Sequence, residues 1–121
     1  AYISGAETAF YAGLCSGSRA CIGQGCTINP QIIRAIQERF DAGDQKGAIE
    51  AQHLTNVLVR RSRNATEFFK RYITEKGYPV SPCPRVAGGA PPYYGKAPEP
   101  LSDEEYAGFK HLLEAELERY T

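Results

Sequence analysis

Two short apolar segments open the chain, and glycines fall within or directly beside both. Residues 1–5 and 19–25 each form an apolar segment of strand length, and residues 6–16 between them predict a short helix. Glycine weakens a strand unless another backbone or a ligand must approach it closely. We therefore expect such an approach at three glycines of these segments: Gly5, Gly23 and Gly25.

From residue 29 onward, apolar side chains recur at helical spacing and predict four helices. These helices begin at Asn29, at about residue 44, at Asn64 and at Ser102. We expect Asn29 to act as the N-cap of the first helix and Gly43 to end it. Each of the last two helices begins with a polar residue three positions before a glutamate, which is typical of a capping box.

Residues 79–101, between the third and fourth predicted helices, are rich in proline. Proline removes a backbone donor and fixes φ, so no regular strand ladder is expected there. We interpret the segment as an extended strap over a helical surface, and a ligand for a proline-binding domain is the alternative. The predicted organisation is therefore two strand–helix units over residues 1–42 and a helical region over residues 43–121 that contains this connector.

Size and charge limit the classes of function. A chain of 121 residues with 42% hydrophobic content suits one compact domain with a modest core. Fourteen basic side chains balance fourteen acidic ones, which disfavours a nucleic-acid surface and favours a small-molecule or protein-facing role. No stretch approaches about 18 consecutive apolar residues, and the first residues lack the pattern of a signal peptide. We predict no membrane span, no nucleic-acid partner and a cytoplasmic location.

The cysteines and histidines predict neither a metal site nor a bound cofactor. The four cysteines, of which none forms a C-x-x-C pair, are Cys15, Cys21, Cys26 and Cys83. Cys21 and Cys26 lie in an apolar segment where a thiol acts as a small hydrophobe, so we interpret the cysteines as reduced and intracellular. Their even number leaves a disulfide pair open. The chain offers two histidines as imidazole ligands, His53 and His111, which makes a metal site less favoured still.

The order of strand, helix, strand and helix, followed by further helices, resembles the end of a (β/α)₈ barrel with a helical C-terminal extension. More specifically, the chain resembles the N-acetylneuraminate lyase and dihydrodipicolinate synthase family of class I aldolases. The motifs that carry this likeness are Gly5-Ala6-Glu7-Thr8, Gly13-Leu14, Gly17 and Ile22-Gly23-Gln24-Gly25. The later stretch "FDAGDQKGAIEAQHLTN" resembles the family's helix, Gly-Asp turn and Ala-Gln helix. The family's closing segment is matched by Gly77-Tyr78-Pro79-Val80 and Arg85.

This resemblance implies an α/β fold in which residues 1–42 are the last two strand–helix units of a TIM barrel. Because two strands cannot close a barrel, we expect a C-terminal portion whose partner is the N-terminal part of the barrel, assembled as a dimer or tetramer. The family forms a Schiff base between a lysine on the sixth strand and the keto group of pyruvate or another 2-keto acid. That lysine would precede residue 1. None of the chain's own lysines is assigned a catalytic role: Lys46, Lys70, Lys76, Lys96 and Lys110.

The resemblance also carries substrate contacts onto Gly5, Glu7, Thr8 and Gln24. It implies that the Gly5 backbone and the other three side chains contact hydroxyl groups of a sugar-acid substrate. Thr8 stands where the lyases have a carboxylate and Gln24 where they have a small hydroxyl residue, which disfavours sialic acid itself. Taken as residues alone, a Glu7 that caps a helix N-terminus and a buried Gln24 that bonds a neighbouring loop are equally open.

A non-catalytic helical interaction module is the alternative function, since four amphipathic helices can form a small bundle. Residues 1–28 distinguish the two interpretations, because a bundle has no use for two glycine-rich strand segments and a barrel requires them. We therefore expect a pyruvate-dependent aldolase or lyase that acts on a hydroxylated 2-keto acid, with its Schiff-base lysine outside this chain.

Overall fold

The computed structural model describes residues 2–81 and 99–120, which form two strands, a 3₁₀ turn and six helices. The strands are β1 (Tyr2–Ser4) and β2 (Ser18–Cys21), and the 3₁₀ turn is Glu7–Ala9. The helices are α1 (Phe10–Cys15), α2 (Gly25–Ile28), α3 (Pro30–Asp41), α4 (Gln45–Arg61), α5 (Ala65–Glu75) and α6 (Asp103–Glu118). Much of the predicted proline-rich connector, together with Cys83, Arg85 and Lys96, lies outside the described residues.

The described chain divides into two compact units. The first unit comprises Ala1–Arg61 with Leu112–Thr121, and the second comprises Ser62–His111. Because α3 and α4 pack together within the first unit, the predicted boundary after residue 42 falls inside that unit. No helix among residues 2–81 and 99–120 is long and apolar enough to cross a membrane.

Strands β1 and β2 pair in parallel, with the 3₁₀ turn and α1 as the crossover between them. The register pairs Tyr2 with Ser18 and Ser4 with Cys21, with an irregularity after Tyr2. At Gly13 of α1, a Cβ would lie 3.3 Å from the Ser4 Cβ and 3.4 Å from the Ser18 Cβ. The missing side chain therefore lets α1 approach both strands closely.

Large apolar side chains of this strand pair lie in solvent. Tyr2 is 76% exposed, Ile3 59% and Ile22, directly after β2, 65%. Parallel sheets are ordinarily covered on both faces, and a two-stranded sheet alone buries too little surface to be stable. The pair therefore leaves more apolar surface in solvent than a covered parallel sheet does.

The core of the first unit lies where α1 packs against α3 and α4. Its buried cluster consists of Phe10, Leu14, Ile33, Ala35, Ile36 and Ala51. The predicted end of the first long helix is confirmed, since Gly43 follows α3 with a φ of 77°. A backbone in this region disfavours any residue with a Cβ, so glycine turns the chain from α3 into α4.

The structure corrects two local predictions in the first unit. The second strand ends at Cys21, and Gly25 begins α2, so Gly25 lies at a helix start and not at the end of a strand. Asn29 occupies the N-cap position before Pro30, but its side chain makes no capping hydrogen bond. Asn29 is instead buried, and its Oδ1 lies so close to Gly25 that a Cβ on that glycine would be 2.7 Å away.

In the second unit, aromatic rings pack between α5 and the first part of α6. Phe68 is 1% exposed, and its ring centroid lies 4.5 Å from that of Phe109 and 5.2 Å from that of Tyr106. Both predicted N-caps are confirmed, and the capping box at Ser102 is complete because the Glu105 carboxylate also accepts from the Ser102 backbone N–H. The box at Asn64 is incomplete, because the Glu67 carboxylate accepts from the Asn64 side-chain amide and not from its backbone N–H. The side chains of Asn64 and Ser102 accept hydrogen bonds from the backbone N–H groups three residues later, which fixes the starts of both helices.

Candidate functional site

The candidate site lies where β1 and β2 end, because parallel strands bring their carboxyl ends to the same edge. After the strands, the Ile22 amide still donates to the Ser4 carbonyl at 2.9 Å, which keeps the two departing chains together. Ligand sites of parallel α/β folds lie at this edge. We call this region the strand-end site and define it by Gly5, Glu7, Thr8, Gly23, Gln24 and Gly25.

Glu7 connects the two halves of the strand-end site. Its Oε1 accepts a hydrogen bond of 3.0 Å from the backbone N–H of Gly25. A Cβ placed on Gly23 would overlap the Glu7 Oε2, so the carboxylate lies directly against the Gly23 backbone. Glycine at position 23 therefore makes room for Glu7, which explains the close approach expected there. Glu7 lies in the first turn of its own helical segment, but the hydrogen bond of its carboxylate goes to the chain after β2.

The other predicted site residues lie at the surface. Gly5, Thr8 and Gln24 are exposed. Gln24 lies between the two glycines that contact Glu7, so it belongs to the site. Its exposure excludes the alternative in which Gln24 is a buried glutamine that bonds a neighbouring loop. The structure thus brings Glu7 to the Gly23–Gly25 segment and leaves Gly5 and Thr8 in solvent on the chain that follows β1.

Gln52 of α4 positions this site. It is not among the site residues predicted from the sequence. Gln52 is 8% exposed. Its Nε2 donates to the Glu7 carbonyl at 2.8 Å, and its Oε1 accepts from the Tyr11 amide at 2.7 Å. One buried amide therefore holds both Glu7 and the first turn of α1. The sequence does hold one signal for Gln52, which is a glutamine beside the apolar positions of α4. A polar side chain at such a position becomes buried and is then expected to have hydrogen-bond partners.

Two cysteine thiols lie beside the strand-end site. Cys21 ends β2, Cys26 lies in α2, and both line a cavity of about 200 Å³. The Cys26 Sγ is 3.7 Å from the Cys21 carbonyl oxygen, which brings the two side chains close together. Burial, with further contributions from Cys26 and Glu7, raises the pKa of Cys21 to about 12. Both cysteines are free thiols, as is the exposed Cys15.

The described lysines lie on or beside helices. Lys46, Lys70 and Lys110 lie on helices and Lys76 follows α5, so no lysine of the described ranges lies at a strand end. Within the same ranges, no three His, Cys, Asp or Glu side chains are grouped to hold a metal ion.

No protein-family model matches the chain, and no curated protein or solved structure is detectably similar to it. The aldolase resemblance therefore depends on the motifs of this chain.

Proposed function

We propose that the chain is the C-terminal part of a pyruvate-dependent aldolase or lyase of the dihydrodipicolinate synthase and N-acetylneuraminate lyase type. In this proposal the complete enzyme is a cytoplasmic homo-oligomer with a TIM barrel. It forms a Schiff base with a hydroxylated 2-keto acid through a lysine outside this chain. The observation that carries the proposal is the parallel strand–helix–strand unit with Glu7 held against a glycine-rich strand end.

The strand pair supports a barrel over a helical module. A βαβ crossover with parallel pairing is the repeating unit of the TIM barrel, whereas a helical bundle contains no such unit. Tyr2, Ile3 and Ile22 expose apolar side chains, and neighbouring strands and helices of a barrel would bury them. The alternative interaction module gives no reason for a parallel pair.

The chemistry of the strand-end site supports a hydroxylated substrate. A carboxylate accepts strong hydrogen bonds from hydroxyl groups, and an amide can both donate and accept. Glu7 is oriented by Gly25 on one side and by Gln52 on the other, so its position is fixed before any substrate binds. In the proposed enzyme, a lysine of the remaining barrel attacks the keto carbon and water leaves. The resulting iminium accepts the electron pair of the carbon–carbon bond that breaks.

Reductive trapping tests the reaction class. The complete protein is treated with borohydride in the presence of pyruvate, digested and analysed by mass spectrometry. We expect one lysine adduct, outside residues 1–121. An adduct on Lys46, Lys70, Lys76, Lys96 or Lys110 would refute this assignment, and the absence of any adduct would favour the interaction module.

Substitution at Gln24 and Glu7 tests the substrate contacts separately. Gln24→Ala and Glu7→Ala should each lower kcat/KM for the full substrate by roughly tenfold to a hundredfold, while trapping with pyruvate persists. Gln31→Ala, which removes an exposed glutamine of α3, is the matched control and should change neither quantity. A lowered melting temperature with unchanged kinetics would make Glu7 and Gln24 structural.

A further inference from the structure

Cys21 and Cys26 form a thiol pair that the proposed reaction does not use. The Cys26 Sγ lies 3.7 Å from the Cys21 carbonyl oxygen, and both cysteines line the same cavity, whose other lining residues include Phe10, Ile33 and Arg34. Both cysteines are partly exposed, so a small reagent can reach them. Only four residues separate them, and two of these are Gly23 and Gly25. A short chain with two glycines adjusts its backbone at low cost.

We propose that Cys21 and Cys26 are a modification site at which exchange with a low-molecular-weight disulfide of the glutathione type forms a reversible intramolecular disulfide. The Cys26 Sγ lies 3.7 Å from the Cys21 carbonyl oxygen and both side chains line one cavity, so rotation of the side chains with a small backbone movement brings the sulfurs to the bonding distance of about 2.05 Å. The Arg34 guanidinium at the cavity provides a positive charge for a reagent that carries carboxylates. The inference does not depend on the proposed aldolase function.

The exchange has two balanced steps. The thiolate of Cys26 attacks one sulfur of the small disulfide, a mixed disulfide forms, and the first small thiol leaves with a proton. Cys21 then attacks the Cys26 sulfur, and the second small thiol leaves with the other proton. Two cysteine thiols and one disulfide thus become one protein disulfide and two small thiols. No further oxidant is needed.

The order of attack follows from the surroundings of Cys21. Burial raises the pKa of the Cys21 thiol, which disfavours Cys21 as the first nucleophile and leaves that role to Cys26. The new bond closes a ring over residues 22–25 and restrains the segment that carries Gln24.

Mass spectrometry tests the proposal directly. The complete protein is equilibrated in glutathione buffers from fully reduced to fully oxidised, alkylated and digested with trypsin. Cleavage after Arg19 and Arg34 releases Cys21 and Cys26 in one peptide and leaves Cys15 in the preceding one. We expect the peptide of residues 20–34 to lose both alkyl groups as the buffer becomes oxidising, which leaves it two hydrogen atoms lighter than the free dithiol peptide, and to recover on reduction. The exposed Cys15 is the internal control and should remain alkylated or carry glutathione.

Single substitutions identify the two roles. In Cys21→Ser the mixed disulfide should accumulate on Cys26, because no second thiol is present to displace it. Cys15→Ser should leave the ring closure unchanged. The proposal is overturned if the wild-type peptide stays doubly alkylated in oxidising buffer, if both cysteines carry glutathione, or if either is linked to Cys15 or Cys83.

Discussion

The two compact units are stabilised by different kinds of contact. In the first unit, apolar side chains of α1, α3 and α4 enclose a buried amide, Gln52, which bonds two backbone groups. In the second, aromatic rings pack around Phe68, and exposed ion pairs surround them. These pairs are Arg63–Glu105, Arg71–Asp103 and Lys110–Glu75. In the first unit, loss of Gln52 would leave buried backbone groups without hydrogen-bond partners, which costs much free energy. In the second unit, water and salt weaken the exposed ion pairs.

This difference matches the distribution of candidate chemistry. The strand-end site and both cysteines of the thiol pair lie in the first unit, and Gln52 fixes the position of Glu7 there. A residue that binds a ligand must be held in one place, which a buried amide achieves and an exposed ion pair does not. The second unit contains none of the predicted site residues.

The largest expected effect comes from Gln52→Leu. This change keeps much of the volume but leaves the Glu7 carbonyl and the Tyr11 amide without their partner. Each unsatisfied buried group costs about 1–3 kcal/mol, so we expect a loss of about 2–4 kcal/mol in the free energy of unfolding, measured with denaturant. Gln45→Leu, at the exposed start of the same helix, is the control. Equal stability of the two variants would show that Gln52 does not hold the site.

A somewhat smaller effect is expected from Gly23→Ala. The new Cβ overlaps the Glu7 Oε2, so the carboxylate must turn away and lose its hydrogen bond from Gly25. A hydrogen bond to a charged group contributes about 1.5–3 kcal/mol, and we expect a loss of stability in that range. The double variant with Glu7→Ala should lose little more than Glu7→Ala alone, because the overlap is gone.

Gly5→Ala is the matched control for Gly23→Ala, since a Cβ at Gly5 has no neighbour within 4 Å. We expect its stability to stay within about 1 kcal/mol of the wild type. Strictly additive losses in the Gly23 and Glu7 double variant would contradict the direct contact between these residues.

Local patterns predict the helix starts and ends well, but they do not identify the contacts that build the site. Asn64, Ser102 and Gly43 act within one turn of their own helix, so spacing along the chain is sufficient to assign them. Gln52 bonds residues more than forty positions away, and no local pattern encodes that distance. For Asn29 the local pattern predicts a contact that does not form. Its residue type and position predict a helix cap, but tertiary packing buries its side chain against Gly25.

The second unit should lose stability in acid through Glu75 and Glu105. The Lys110 hydrogen bond lowers the pKa of Glu75, and the hydrogen bond from the Ser102 backbone N–H lowers that of Glu105, both from an ordinary value of 4.5. A lowered carboxylate pKa stabilises the folded state above the ordinary value, and this contribution is lost as the pH falls through the lowered pKa. Glu105→Gln should therefore reduce stability at pH 7 and make little difference at a pH below that lowered value.

The control for this pH dependence is Gln52→Leu, whose lost hydrogen bonds, to two backbone groups and to the Asn56 amide, involve no titrating group. Its loss of stability should therefore be similar at both pH values. Denaturant unfolding of each variant against the wild type at the two pH values gives the comparison. If the Glu105→Gln difference persists in acid, the contribution of Glu105 does not come from its charge.

The smallest effect is expected from Tyr106→Phe, because it removes a buried hydroxyl that has no hydrogen-bond partner of good geometry. Burial, followed by the neighbouring Glu75 carboxylate, raises the pKa of Tyr106, so the hydroxyl is neutral. Its burial removes its hydrogen bonds to water, which costs free energy. The Phe ring keeps the packing against Phe68 and the face on which the Arg71 guanidinium lies 4.0 Å from the ring centroid. We expect stability to rise by at most about 1 kcal/mol, with the exposed Tyr78→Phe as a neutral control. A clear loss in Tyr106→Phe would mean that the hydroxyl donates to Glu75, which would add a second buried polar contact to that of Asn64 in the second unit.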